Sequence, residues 1–300
     1  MALEKTLPIM LIFLIGIALK KAGILRKEDG RMISGLILNV VLPATIINAI
    51  SSMTISPSLL LLPLASVTVV VLLLGLGFAL APILGLQGKT RAAFLISFPT
   101  LEVGSIGYAF MAAVYGAGGL ALIAFFDLGD ALFFFLVVPL LASLLGQRAK
   151  RFRISDALLL FLKNPVIWAY AAGIALNHFH IQIPLISNLF ATLSQAFLLL
   201  IMLLVASEFE LSFSRLAFPV LAMYLKMALG VTLGLLISLL FHLSGIEQVA
   251  VVLASSLPSC LMSVVYAREY ELDVRFLAST LSLALPTAIG FSFVIMSISH

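Results

Sequence analysis

Four ionisable side chains fall inside stretches that are otherwise almost wholly apolar: Glu102, Asp127, Asp130 and Lys226. At the centre of a bilayer an ion costs at least about 2.5 kcal/mol, so residues of this kind face a cavity, pair with one another or carry an ion. Asp127 and Asp130 are spaced to share one face of a helix. Three acids set against one base cannot all be neutralised within the group, so at least one acid is expected to hold a proton or a bound cation. The chemistry this suggests is proton or sodium coupling through Glu102, Asp127 and Asp130, with Lys226 balancing charge. A structural Asp–Lys or Glu–Lys pair with helix-capping contacts is the alternative.

Two polar, interrupted segments could shape a site around these charges. The first reads FPTLEVGSIGYAF at 98–110 and the second ASSLPSCLMSVVY at 254–266. Proline removes a backbone donor and glycine weakens the helical ladder, while serine can satisfy the freed groups, so each segment can unwind within a membrane. Gly104, Ser105, Gly107 and Tyr108 on the first, with Pro258, Ser259 and Ser263 on the second, are the candidate lining of a binding cavity. Two half-helix N-termini aimed at one cavity would favour an anionic ligand. Small residues also serve simple helix–helix packing in membranes, which is the other reading. Asn39, like Asn48, could line the cavity or bridge helices.

The elements that position these groups are set by composition. The 300 residues are 63% hydrophobic and 10% charged, with a mean hydropathy of +1.24, and continuous Leu/Val/Ile/Ala runs point to membrane-spanning helices, not to a barrel. Candidate spans lie near 6–20, 32–50, 58–84, 92–115, 119–145, 165–181, 185–206, 216–242, 246–267 and 276–298. Cations cluster in alternate junctions: Lys20, Lys21, Arg26, Lys27 and Arg31; Lys89 and Arg91; Arg148, Lys150, Arg151, Arg153 and Lys163; Arg215; Arg268 and Arg275. The intervening junctions hold no Lys or Arg. By the positive-inside rule the cation-bearing junctions are cytoplasmic and both termini face out. The opening segment reads as the first span and not as a removable signal. A bacterial cytoplasmic membrane is the expected location.

Five spans is an odd number, so a duplicated five-span unit inserts its second copy upside down. Gly16-Ile17-Ala18-Leu19 recurs as Gly173-Ile174-Ala175-Leu176, and Val114-Tyr115 as Val265-Tyr266. The expected architecture is an all-α membrane protein of ten transmembrane helices: a first five-helix repeat at 1–147, a linker at 148–164 and an inverted second repeat at 165–300. Broken helices 4 and 9 occupy equivalent positions in the two halves. The stretch at 153–163 is either an interfacial amphipathic segment or an early start to the sixth span. Inverted repeats with a midplane site are a secondary-transporter design.

Other chemistry is thin. Cys260 is the sole cysteine, which excludes an internal disulfide and a Cys-based metal site. His178 and His180 sit in an outer loop without further ligands nearby in sequence, so no metal is expected. Glu208 and Glu210 read as a solvated edge. Neither a nucleotide-binding nor a catalytic motif is present, so neither a cofactor nor an enzymatic role is expected, and nucleic acid is not an expected partner.

Several segments resemble the auxin efflux carrier family, which holds plant PIN-type carriers and bacterial permeases of malonate-like acids. They are LILNVVLPATIINAI at 36–50, GYAFMAAVYGAGGLALIAFFDLGDALF at 107–133, Lys226, SSLPSCLMSVVYAREYEL at 255–272 and STLSLALPTAI at 279–289. The resemblance implies a bile-acid/sodium symporter and cation-antiporter-like architecture. It implies a scaffold of spans 1, 2, 6 and 7, a transport domain of spans 3–5 and 8–10, a substrate site where spans 4 and 9 cross, elevator-type movement and a homodimer. The chain departs from the family at Ala109 and Ser263, where crossover prolines are common, and at Glu102, where an asparagine is common. The expected function is export or exchange of a small organic acid anion, with H+ or Na+ as coupling ion and lipid as surroundings. A sodium- or proton-coupled carrier of another solute is the runner-up, and a non-transporting membrane receptor a more distant one.

Overall fold

The computed structural model describes residues 2–26, 28–53, 57–146, 153–181, 183–208 and 217–298. Helices account for nearly all of it. They are α1 (Ala2–Lys21), α2 (Asp29–Leu36), α3 (Leu42–Ser52), α4 (Leu61–Ile83), α5 (Gly88–Ser97), α6 (Tyr108–Leu145), α7 (Ile154–Lys163), α8 (Pro165–His178), α9 (Pro184–Gln195), α10 (Phe197–Glu208), α11 (Ala217–Leu240), α12 (Gly245–Ser256), α13 (Ser263–Glu269) and α14 (Val274–Ile298). A π-helical turn at Ile37–Val41 fuses α2 to α3, and a second at Val103–Gly107 leads into α6. No strand occurs among the described residues. The cations at 148, 150, 151 and 215, with Lys27 and Glu210, lie outside the described residues.

By length and composition, Asp29–Ser52, Leu61–Ile83, Val103–Leu145, Pro184–Ser207 and Leu221–Leu240 can each cross a bilayer, and shorter apolar helices lie at Gly245–Ser256 and Thr287–Met296. The stretch Val103–Leu145 has 43 residues, about twice what a core of about 30 Å requires. Its continuity is broken at Gly116, where φ is 65° and ψ −153°, a conformation essentially confined to glycine. Nothing lies within 4 Å of where a Cβ would stand, so only the backbone demands glycine here. Gly116→Ala is therefore expected to lower unfolding stability by about 1–3 kcal/mol, read as a drop in thermal midpoint of the purified protein.

The stretch at 153–163 contains the helix α7. α7 meets α8 at 59°, and exposes Ile154, Leu158, Leu159, Leu160 and Leu162. Asn164 caps α8, its side chain accepting from Val166 N at 3.0 Å.

Packing places the recurring Gly-Ile-Ala-Leu segments in equivalent roles. At Gly16 on α1 an added Cβ would stand 2.5 Å from Ala206 Cβ of α10, and at Gly173 on α8 it would stand 3.0 Å from Ile50 Cβ of α3. The residue after each motif then caps the partner helix: Lys20 Nζ donates to the Ser207 carbonyl at 2.6 Å, and Asn177 Nδ2 to the carbonyls of Ile50 at 2.8 Å and Met53 at 2.7 Å. Small residues permit close backbone approach where apolar burial gives no drive, and a donor at a helix C-terminus meets carbonyls that lack intrahelical partners. Elsewhere α4 lies along α6, and α11 along α12. At Gly230 of α11 an added Cβ would overlap the Ser255 carbonyl oxygen.

Candidate functional site

The site is made by two failures of helical continuity. α5 ends at Ser97, and Pro99 follows. α12 ends at Ser256, and Leu257, with ψ at 153°, takes the extended form imposed on a residue preceding proline, here Pro258. Each break frees backbone N–H and C=O groups that lipid cannot satisfy.

The two breaks satisfy one another. Glu102 N donates to the Pro258 carbonyl at 2.9 Å. Leu261 N donates to Glu102 Oε2 at 2.8 Å, and Cys260 N to Thr100 Oγ1 at 3.0 Å. Lys226 Nζ, reaching in from α11, donates to the Thr100 carbonyl and, at 3.3 Å, to Ser259 Oγ. Asp130 of α6 is buried beside Leu101 and Lys226. Ser105 Oγ donates to Glu102 Oε1 at 2.6 Å, so both carboxylate oxygens of Glu102 are engaged.

Thr100 is the hub. Its hydroxyl donates to the Ser97 carbonyl at 2.8 Å, so the 3.2 Å contact with Ser263 Oγ takes its hydrogen from Ser263. Burial is deep: Thr100 and Ser263 are at 0% exposure, Lys226 at 1%, Asp130 at 4% and Glu102 at 8%. At such depth a lost partner costs about 1–3 kcal/mol for a neutral group and more for an ion. Cover thins at the second break, where Cys260 and Leu261 are half-buried and Met262 is exposed. Gly104 is half-buried, with nothing within 4 Å of where a Cβ would be.

The candidates from sequence thus divide. Glu102, Ser105, Pro258, Ser259, Ser263, Lys226 and Asp130 come together at the crossing. Gly104 borders open space, whereas Gly107 is a packing residue: a Cβ there would stand 2.8 Å from Ile123 Cδ1 and 3.1 Å from Leu257 Cδ1. Tyr108 and Asp127 form a second group. Tyr108 donates to Asp127 Oδ2 at 2.7 Å, and its hydroxyl lies 3.1 Å from that of Tyr170 on α8, which donates to the Ala124 carbonyl at 2.6 Å. The two aspartates share α6 but serve different partners. Asp130 Oδ1 has no hydrogen-bond partner among the described residues.

Asn39 is not brought to either group. It is exposed, its turn packs against α8, α9 and α10, and its amide donates to the Gly35 carbonyl at 2.8 Å, closing a local backbone bond. Sequence reasoning also passed over Thr100 and Tyr170. Thr100 had a signal in its position directly after Pro99, where a hydroxyl can replace a lost backbone donor. Tyr170 had none, because its partners are remote in sequence.

Residues 1–296 match the family model described as membrane transport protein. An uncharacterised transporter of Methanothermobacter thermautotrophicus is 25% identical over 280 residues, covering 92% of this chain and 91% of its own length. An uncharacterised transporter of Methanocaldococcus jannaschii is 25% identical over 292 residues, 93% of this chain and 92% of its own. A crossing of interrupted apolar helices around buried charges, in a chain matched almost end to end, leaves one assignment: the protein belongs to the membrane transport protein family, the auxin efflux carrier-like group of integral membrane transporters.

Proposed function

We propose that the chain is a secondary transporter of a small organic acid anion. It crosses the cytoplasmic membrane ten times as two inverted five-helix halves, with both termini outside. The observation that carries this reading is the meeting of the two interrupted segments around Lys226, Glu102 and Asp130. Broken helices meeting at one point are how membrane transporters present backbone dipoles to a solute. The inverted repeat is supported by the paired roles of Gly16 with Lys20 and Gly173 with Asn177. Spans 1, 2, 6 and 7 would form the fixed scaffold of an elevator, spans 3–5 and 8–10 its moving part, and two copies a homodimer. Glu102, Asp127 and Asp130 would handle the coupling H+ or Na+.

The test is flux in proteoliposomes with radiolabelled malonate and related carboxylates, under an imposed pH or sodium gradient, for the native protein and Glu102→Gln. The glutamine can keep both contacts, its carbonyl accepting from Leu261 N and its amide donating to Ser105. Only the charge is lost. Gradient-driven carboxylate uptake by the native protein is expected, with the variant exchanging carboxylate but no longer following the gradient. Flux that ignores both gradients and is unmoved by the substitution refutes the coupling role.

One observation favours a second reading, a coupled carrier of a different solute. Glu102 already occupies the Leu261 N–H at the head of α13 that an anionic solute would seek. Under that reading neutral or cationic solutes added to the same assay are carried, and the carboxylates are not.

A further inference from the structure

The Asp127–Tyr108–Tyr170 chain poses a hydrogen-counting problem. Its contacts are Tyr108 to Asp127 at 2.7 Å, Tyr108 to Tyr170 at 3.1 Å and Tyr170 to the Ala124 carbonyl at 2.6 Å. A carbonyl donates nothing, and each phenol has a single hydrogen. With Asp127 ionised, two hydrogens serve three contacts. Tyr108 gives its hydrogen to the carboxylate and Tyr170 gives its own to Ala124, which leaves the two phenol oxygens facing each other with no hydrogen between them. That contact, at 3.1 Å, is the longest of the three and lies beyond the usual O–H···O range of about 2.5–3.0 Å. With Asp127 protonated the count closes: the acid donates to Tyr108, Tyr108 to Tyr170, and Tyr170 to Ala124.

The incomplete contact sits between two helices that have little else in common. Tyr108, Ala124 and Asp127 belong to α6, and Tyr170 to α8, which lies along α3. Tyr170 also meets the ring of Phe125 edge-on at 6.2 Å between centroids. Both phenols are buried, Tyr108 at 0% and Tyr170 at 4% exposure, so neither can borrow a hydrogen from bulk water. Asp127 is half-buried, less enclosed than either phenol. The titratable groups facing it are Tyr108 and Asp130 on its own helix, Tyr170 on α8, Glu102 at the first break and Cys260 at the second. Lys226 faces Asp130, Glu102 and Cys260.

We propose that Asp127, Tyr108 and Tyr170 form a proton-dependent latch between α6 and α8. When Asp127 takes a proton from water, the Tyr108 hydroxyl turns from the carboxylate to Tyr170 and the latch closes; when the proton leaves, it slackens. The geometry stands without the transport assignment. On that assignment, the latch makes Asp127, and not Glu102, the acid whose protonation adds a second α8–α6 hydrogen bond to that of Tyr170 with the Ala124 carbonyl.

Hydrogen–deuterium exchange of the α8 amides in nanodiscs, without any solute, tests this. Between about pH 5 and about pH 8, a range wide enough for perturbed carboxyls, and after correction for the chemical pH dependence of exchange, α8 is expected to exchange two- to tenfold more slowly at the acidic end, about the effect of one added hydrogen bond. Asp127→Asn, whose amide donates permanently to Tyr108, should hold the slow rate at both ends. Tyr170→Phe, which removes the bond to the Ala124 carbonyl as well, should lose the pH dependence and exchange at least as fast at both ends as the native protein at about pH 8. Equal native rates at the two pH values, or an Asp127→Asn protein that keeps the pH dependence, overturns the proposal. A failure of the flux assay would leave this measurement untouched.

Discussion

Lys226→Met is expected to cost about 3–5 kcal/mol of stability, the range for removing one partner from a buried charged network, and to abolish solute flux. Methionine preserves most of the stem volume. What disappears is the donor to the Thr100 carbonyl and to Ser259 Oγ, together with the only cation facing Glu102 and Asp130 among the described residues. Thermal unfolding of the detergent-solubilised protein, followed by fluorescence-detected size exclusion, reads the loss. Lys226→Met combined with Asp130→Asn removes charge from both sides and should recover part of it. If the double variant is no more stable than the single one, Lys226 acts through its packing and not through its charge.

Thr100→Val is isosteric and strands two buried groups at once. Cys260 N–H loses its acceptor and the Ser263 hydroxyl loses the oxygen it donates to. The Ser97 carbonyl keeps the Thr100 N–H at 3.1 Å and is not orphaned. At about 1–3 kcal/mol for each stranded group, the expected loss is about 2–6 kcal/mol. Thr100→Ser keeps the hydroxyl and is expected to stay near the native midpoint. A valine variant as stable as the serine variant would show that the hydroxyl does not hold the breaks together.

Much of the fold could be read from the chain because lipid leaves few choices. Runs of apolar residues spell helices, and Pro99 and Pro258, set among small polar residues, mark where they break. The Gly-Ile-Ala-Leu repeat was legible only as a hint of duplication; that Gly16 and Gly173 each lie against a neighbouring helix needed the folded chain. The rotation of each helix about its own axis was less legible. An amphipathic helix betrays its buried face, whereas a helix apolar all round, like α4, does not. Hence Gly107 could not be told from Gly104, though one abuts Ile123 and the other borders open space, and Asn39 stayed open between a cavity and a helix contact. The hydrogen bonds of Thr100 and Tyr170 depend on segments that approach only in the folded chain, over 163 and 62 residues of sequence separation.

The reciprocal bonding of the two helix breaks has a mechanical consequence. Pulling them apart would strand the Pro258 and Thr100 carbonyls and the amides of Glu102, Cys260 and Leu261, at several kcal/mol for each group left in hydrocarbon. The joint is therefore welded: on the elevator reading proposed above, both fragments would travel as a single piece, with the yielding surfaces elsewhere.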